Sequence, residues 1–342
     1  MNVKNRGREN AGLAPVKPGP FQAKTALISF PGFRGSLFLR KNFGDLIFEN
    51  LTRFFAFLLL VLVIVMGYEM LMQSMPSINK FGLKFITSKT WDPVQENFGA
   101  LPFIFGTLFS SLLALVLSVV LSIGTAVFLS EFAPSWLEKI ASMLVELLAA
   151  IPSIVYGLFG IFVLAPFLRD SVEPWLGERF GFLPLFIGAP YGFGMLAAVV
   201  ILTIMILPII TSISRDIMKS IPMAQREAAY ALGATKWEVV RIVLSGSKSG
   251  ILGAALLGLG RAIGETMAVT MVIGNTPQIS LSLFDPAYTM ASVLANEFSE
   301  ATSQLYTSAL IEIALLLFVM TFILNAVARF VVWSVTKKYS KV

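Results

Sequence analysis

The 27 residues FIFGTLFSSLLALVLSVVLSIGTAVFL, Phe103–Leu129, contain no charged side chain. About 20 consecutive apolar residues are enough for a helix to cross the roughly 30 Å hydrocarbon core of a bilayer. This stretch is therefore predicted to be a membrane-spanning helix, and similar runs occur on both sides of it. We predict six spans in all, at about 54–72, 103–129, 141–168, 194–213, 250–274 and 306–333.

The composition of the whole chain agrees with a membrane protein. Hydrophobic residues make up 56% of the 342 residues and charged residues 13%, about half of the roughly 25% usual in soluble domains. Cys and His are both absent, which excludes disulfides, Cys or His nucleophiles and the commonest zinc ligands. We predict an all-α polytopic membrane protein and assign it no catalytic or metal-binding residue.

The net charge of +6 is explained by where the basic residues lie. Nineteen of the 26 Lys and Arg residues fall in 1–53, 130–140, 214–249 and 334–342, and five fall in 73–102, 169–193 and 275–305. Cytoplasmic loops carry the basic excess, so both termini are predicted to be cytoplasmic and no nucleic-acid partner is needed. We expect residues 1–40 to form a flexible basic cytoplasmic arm and residues 41–342 to form the transmembrane domain.

The cytoplasmic loop 214–249 has the pattern of a helix–turn–helix. The run Met223–Leu232 favours a helix, and Gly233 stands where a left-handed residue would end it. Thr235 and Glu238 then form a capping-box pattern that opens a second helix. A DNA-binding unit has similar spacing, but this second helix is apolar and continues into a span, so it has no polar surface for base edges.

Arg261 and Glu265 are the charged residues within the fifth predicted span. Their spacing of four places them on one helix face. Ionisable groups at membrane depth are costly and usually face a bundle interior or a water-filled path, and the donor fork of Arg matches phosphate oxygens. We predict that both line a substrate path for an anion; the alternative is a structural ion pair. Gly260 and Gly264 add a small-residue surface for helix packing.

Several smaller features also carry expectations. Glu146 and Glu312 lie near the ends of their predicted spans, where a carboxylate is expected to reach the interface. Pro152 is expected to kink the third span. On the opposite side from the basic loops, Tyr288–Phe298 is predicted to be a short helix, within a loop that either caps the bundle or contacts an external partner.

The triplet Glu227-Ala228-Ala229 is followed after three intervening residues by Gly233, and about ten residues later by an Ile-Val-Leu run. This pattern resembles the EAA motif of ABC-importer permeases. That motif lies in the cytoplasmic loop before the penultimate span. The resemblance implies that Glu227, Ala228, Ala229 and Gly233 couple to an ATPase, with the short helix fitting a groove on that subunit. The chain has Ser245 where the family pattern usually has Pro, so we expect a looser joint to the fifth span.

Three further segments narrow the resemblance. They are LVELLAAIPSIVYGLFGIFVLAP at 144–166, LLGLGRAIGETMAVTMVIGNT at 256–276 and SVLANEFSEA at 292–301. From about residue 43 to the C-terminus the chain is similar to phosphate-specific ABC transporter permeases of the PstC type. The resemblance implies a type I ABC importer permease fold in a bacterial inner membrane, surrounded by lipid. It also implies phosphate as substrate and, as partners, a PstA-type second permease, a PstB-type ATPase dimer and an extracytoplasmic PstS-type phosphate-binding protein.

The residues themselves agree with the need for an ATPase partner. The chain contains no G-x-x-x-x-G-K-[ST] motif, so it cannot hold ATP in a P-loop. We therefore expect no cofactor on this chain and ATP bound by the partner subunit. Two alternatives stay open: a permease for another oxyanion, such as molybdate or sulfate, and an ion-coupled secondary transporter. Secondary transporters commonly contain internal repeats, none of which is convincing here.

Overall fold

The structure, a computed structural model, describes residues 43–339 and places side chains over 44–334. The predicted arm at 1–40 lies outside the described residues. Contacts divide the chain between Leu60 and Val61. In the first unit the described residues, 43–60, belong to the N-terminal part of the first helix. The contacts described below lie within the second unit.

The part of the chain that the structure describes is helical and contains no β-strand. Its helices are α1 (Phe43–Phe81), α2 (Lys84–Thr87), α3 (Leu101–Val127), α4 (Ser135–Ala150), α5 (Ser153–Phe180, which includes π-helical turns), α6 (Met195–Ser220), α7 (Met223–Ala231), α8 (Lys236–Ile263), α9 (Met267–Val272), α10 (Met290–Glu297) and α11 (Gln304–Tyr339). Within this range, six helices are long and apolar enough to cross a membrane: α1, α3, α5, α6, α8 and α11. The predicted number of spans is confirmed.

The third span differs from the prediction of 141–168. Helix α4 ends at Ala150 and α5 begins at Ser153, because Pro152 has no N–H to continue the helix and restricts the residue before it. Pro152 therefore separates two helices rather than kinking one. None of the side chains of α4 is buried in this chain, and the span itself is Ser153–Phe180.

The fifth span also differs from the prediction of 250–274. Helix α8 begins at Lys236, within the predicted loop, and ends at Ile263. A break of three residues, Gly264–Thr266, separates it from α9. Gly264 begins this break, and the Glu265 carboxylate accepts from the backbone N–H of Ala268, so an alternative hydrogen bond replaces the continuing helix here.

Helix α6 lies in the middle of the described bundle, with 61% of its most apolar window buried. It packs mainly against α3 and α8. Both approaches are close: a Cβ added at Gly258 of α8 would lie 2.8 Å from Ile210 Cδ1, and Ser122 of α3 donates to the carbonyl of Leu207 at 3.0 Å. Small side chains allow such packing in membranes, where their hydroxyls bond to backbone carbonyls.

A cap of loops and the short helix α10 covers the side opposite the basic loops. The predicted helix at 288–298 is confirmed as Met290–Glu297, and it begins with a capping box between Thr289 and Ser292. The Glu297 carboxylate connects α10 to the Trp91 loop and to the start of α11. Its Oε2 accepts from Trp91 Nε1 at 2.8 Å and from Tyr306 Oη at 2.7 Å. Burial raises the pKa of the neighbouring Tyr288 hydroxyl.

Glu312 does not reach the interface as expected. Its residue is 6% exposed, and its Oε2 has no hydrogen-bond partner among the described residues. Ser308, one turn earlier on the same helix, accepts from the backbone N–H of Ser77 at 3.0 Å. Glu312 therefore faces a buried polar contact between α1 and α11 and not the membrane surface.

Candidate functional site

The loop between α6 and α8 forms the predicted helix–turn–helix. Pro222 precedes α7, and Gly233 takes the left-handed conformation after it, with φ of +83°. Thr235 Oγ1 accepts from the backbone N–H of Glu238 at 3.4 Å, and Glu238 Oε2 accepts from the N–H of Thr235 at 2.7 Å. The predicted left-handed residue and capping box are both confirmed.

The four motif residues of this loop do not all face the same way. Glu227, Ala228 and Gly233 are exposed, whereas Ala229 is buried. Ala229 therefore belongs to the packing of the loop, and the other three belong to its outer surface. Tyr230 is 48% exposed and Leu232 is 90% exposed. This outer surface, defined by Glu227, Ala228, Tyr230, Leu232 and Gly233 and called here the loop surface, exposes large apolar side chains on an otherwise polar loop.

A buried ion pair that the sequence reasoning missed holds α7 in place. Arg226 Nη2 donates to Glu131 Oε1 at 2.9 Å and Arg226 Nε donates to Glu131 Oε2 at 3.3 Å. The two side chains are 11% and 10% exposed. The same guanidinium donates to the carbonyls of Met218, at 2.9 Å, and Ile221, at 2.6 Å. One side chain thus connects α7 to the π-helical turn Phe128–Phe132 that continues α3, and it donates to two carbonyls at the end of α6.

Further ion pairs connect the end of α6 to α4. Lys219 pairs with Glu138, and Arg215 Nη2 donates to Glu146 Oε1 at 3.4 Å and to Asp216 Oδ1 at 2.8 Å. The only sequence signal for these pairs is that basic and acidic residues both occur in loops assigned to one side of the membrane. Their partners, some 70 to 95 residues apart, are set by tertiary packing.

One continuous helix connects the loop to the fifth span, so the expectation of a looser connection at Ser245 is wrong. Ser245 lies inside α8, which runs without interruption from Lys236 to Ile263. A proline here would remove a backbone hydrogen bond and kink the helix, whereas serine keeps it. At 1.5 Å per residue, α8 is a rod of about 40 Å that begins at the loop and ends beside Arg261.

Arg261 and Glu265 do not share one helix. Arg261 is exposed in the last turn of α8, and Glu265 is 8% exposed in the break that follows. No ion pair joins them among the described residues. Glu265 Oε1 instead accepts from the backbone N–H of Ala268 at 3.3 Å. This N–H lies in the first turn of α9, where backbone donors have no partner within the helix and a side-chain acceptor can supply one. The prediction of a shared helix face is therefore wrong, and the two residues have separate surroundings.

Tyr156 is a polar residue beside the break at Pro152 that the sequence reasoning missed. Its hydroxyl donates to the carbonyl of Leu148 at 2.7 Å across that break. Helix α9 packs closely on the same part of α5, since a Cβ added at Gly157 would lie 2.4 Å from Met271 Sδ. The breaks in the third and fifth spans therefore lie next to each other.

The fold and its cytoplasmic helix–turn–helix are those of membrane components of transport systems. Residues 118–337 match the family described as binding-protein-dependent transport system inner membrane component. Two solved structures share the fold: an inward-facing MetNI methionine ABC transporter, with TM-score 0.52 and 19% identity over 68% of this chain and 94% of that one, and a bacterial ABC transporter for the acidic polysaccharide alginate, with TM-score 0.53 and 17% identity over 83% and 98%.

Closer relatives narrow the family. The chain is 48% identical to the phosphate transport system permease protein PstC of Mesorhizobium japonicum over 84% of its own length and 89% of that protein. It is 44% identical to the protein of the same name from Pasteurella multocida, over 88% and 95%. The chain thus belongs to the PstC-type permeases, multi-pass proteins of the inner membrane.

Proposed function

We propose that this chain is a permease subunit of an ATP-driven phosphate importer, in which it forms half of the translocation path. Relatives at 40–48% identity over most of the chain are named as phosphate transport permeases. The observation that carries the proposal is that one continuous helix, α8, connects the loop surface to Arg261. The loop surface lies at the start of α8, and Arg261 lies in its last turn.

The loop surface is the proposed contact for a cytoplasmic ATPase. Leu232 is 90% exposed and the nearby Tyr230 is 48% exposed, and a patch of exposed large apolar side chains is typical of an interaction site. A force on α7 reaches the membrane by two routes: through the continuous α8, and through the Arg226–Glu131 pair to the end of α3. Both routes are stiff, because a continuous helix and a buried bidentate ion pair each hold a defined geometry.

Arg261 is the proposed contact for the anion in transit. Its exposed guanidinium has no carboxylate partner among the described residues, so its donors are available to phosphate oxygens. Glu265 is buried and holds the start of α9, so its proposed role is to position this part of the path rather than to contact the anion. The same donor fork would suit molybdate or sulfate, which leaves those oxyanions as the alternative substrates.

The remaining partners follow from the same proposal. A PstA-type permease would supply the other half of the path, a PstB-type ATPase dimer would bind ATP and contact α7, and a PstS-type phosphate-binding protein would deliver phosphate at the cap formed around Glu297. No ATP hydrolysis is assigned to this chain.

The docking test uses two exposed apolar residues in matched substitutions. Leu232→Ser should abolish co-purification of the ATPase with the permease. Trp136→Ser, at a residue 66% exposed in the first turn of α4, should leave co-purification unchanged. Equal retention of the ATPase by both variants would reject the loop surface as the contact.

The substrate test measures uptake of radiolabelled phosphate in cells. Arg261→Gln keeps a hydrogen-bonding side chain but removes the charge, so uptake should fall at least about tenfold while the complex still assembles. Normal uptake would remove Arg261 from the path. Uptake that persists when the ATPase is inactivated, and follows an ion gradient instead, would favour the secondary transporter.

A further inference from the structure

A groove on the outer surface of the bundle has no role in the proposed transport path. It has a volume of about 660 Å³ and lies between α6, α8 and α11, with Ile213, Gly253, Leu257, Asn325, Arg329 and Trp333 among its lining residues. Apart from the Trp333 indole, only Asn325 and Arg329 bring polar side chains to it. Asn325 Nδ2 donates to the carbonyl of Thr321 on its own helix at 2.9 Å, which leaves Arg329 as the charged group of the groove.

The groove is long enough to hold part of one acyl chain. Along α8 its lining runs from Gly250 to Leu257, about 10 Å at 1.5 Å per residue. Half of the hydrocarbon core of a bilayer is about 15 Å, so the groove covers much of the depth of one leaflet. The cleft that continues it between α8 and α11 has a volume of only about 40 Å³, so the end of the acyl chain would lie on the surface of the bundle.

Gly253 makes the groove deep. No atom outside its own helix lies within 4 Å of a Cβ added there, so the space beside the backbone is open. Gly250, one turn earlier, is different, because a Cβ there would lie 2.5 Å from Ile217 Cδ1. Gly250 thus packs against α6 to form the wall, and Gly253 leaves room for an occupant.

Arg329 supplies the charge that selects the occupant. No ion pair joins it to any residue that the structure describes, and the nearest acidic residue earlier in its own helix, Glu312, is about 25 Å away at 1.5 Å per residue. An arginine near a membrane surface is stabilised by an anion, and its donor fork matches a phosphate group. Trp333, one turn further on, is of the type enriched where the membrane meets water.

We propose that this groove binds one anionic phospholipid of the cytoplasmic leaflet, with an acyl chain along α8 and α11 and the headgroup phosphate on Arg329. The apolar lining, the volume of the groove and an arginine in the lining that has no ion pair among the described residues all fit this ligand. The site is separate from the transport path, since Arg329 lies on α11 and on the cytoplasmic side of the membrane, where the Lys/Arg distribution places the C-terminus.

The test counts lipid molecules retained by the purified full chain, using native mass spectrometry after exchange into detergent with phosphatidylglycerol or phosphatidylcholine. The wild-type chain should retain one phosphatidylglycerol in preference to phosphatidylcholine. Arg329→Gln should reduce that preference by about tenfold, which one charge-assisted contact provides, and Arg329→Lys should keep most of it. Equal retention of the two lipids by the wild type would overturn the proposal.

A matched pair of glycine substitutions tests the groove itself. Gly253→Leu fills it and should lower retention of both lipids by about tenfold. Gly124→Leu is the control, because Gly124 is an exposed residue of α3 with no atom near an added Cβ. Equal losses in the two variants would reject the groove as the site.

Two further measurements distinguish a bound lipid from other occupants of the groove. Millimolar inorganic phosphate should not displace the bound lipid, and displacement would show a free-anion site on Arg329. The assembled transport complex should retain the lipid as the isolated chain does. Its loss on assembly would show that a second permease covers the groove.

Discussion

The buried Arg226–Glu131 pair leads to a prediction about the stability of α7 itself. Arg226→Met would leave the Glu131 carboxylate, 10% exposed, without a cation and the carbonyls of Met218 and Ile221 without their donors. Breaking a buried pair by removing one partner costs about 3–5 kcal/mol. A nine-residue helix is marginal on its own, so this loss should appear as local opening of α7 rather than as unfolding of the bundle.

Amide hydrogen exchange measures that opening directly. A cost of 3–5 kcal/mol corresponds to a factor of about 10² to 4 × 10³ in an opening equilibrium, so amides of Met223–Ala231 in Arg226→Met should exchange faster by about that factor, up to the rate of an unstructured chain. Glu131→Gln keeps an acceptor near the guanidinium and should give a smaller change of about tenfold. Amides in the middle of α6 should keep their wild-type protection.

Lys219→Met is the matched control. Lys219 also joins the end of α6 to another helix through a carboxylate, but its pair with Glu138 is 40% and 26% exposed. Exposed pairs contribute about 0–1 kcal/mol, so exchange in α7 should change less than about fivefold. The reasoning is refuted if Arg226→Met leaves α7 as protected as the wild type, or if both variants accelerate exchange to the same extent.

Two other substitutions test single backbone features. Gly233→Ala should destabilise the loop by about 1–2 kcal/mol, because φ is +83° and a Cβ is disfavoured there. Gly233→Asn should destabilise it less, because asparagine tolerates this conformation better. The two variants are compared by thermal unfolding, followed with a probe on the loop. Glu173→Ala should expose segment 181–194 to proteolysis, because the buried Glu173 carboxylate accepts from the Gly192 N–H at 2.9 Å. Unchanged cleavage would show that other contacts hold this segment.

The sequence predicted what depends on local pattern. The number of spans follows from apolar runs, and the capping box of Thr235 and Glu238 follows from spacing, since each is decided by a few consecutive residues. The left-handed conformation of Gly233 was predicted for the same reason. These features needed no knowledge of the tertiary fold.

The features that the sequence did not predict depend either on competition between alternative hydrogen bonds or on contacts between residues far apart in the chain. Whether the apolar run through Gly264 forms one helix depends on alternative hydrogen-bond partners, and Glu265 provides one by accepting from Ala268. The Arg226–Glu131 pair joins residues 95 apart, so no local pattern identifies it. The effect of Ser245 depends on the backbone around it, because serine keeps the hydrogen bond that a proline would remove and α8 continues through this position.

The two interrupted spans give an argument for the substrate path that does not depend on any relative. Breaks in membrane helices free backbone groups, and these are tolerated only inside protein or beside a water-filled cavity. Here a side chain satisfies a freed group at each break: Tyr156 donates to the Leu148 carbonyl, and Glu265 accepts from the Ala268 N–H. Arg261 lies at the same place, is exposed and has no carboxylate partner among the described residues. An ion pair within the described residues would give Arg261 such a partner, and its absence agrees with the proposal that Arg261 contacts the anion.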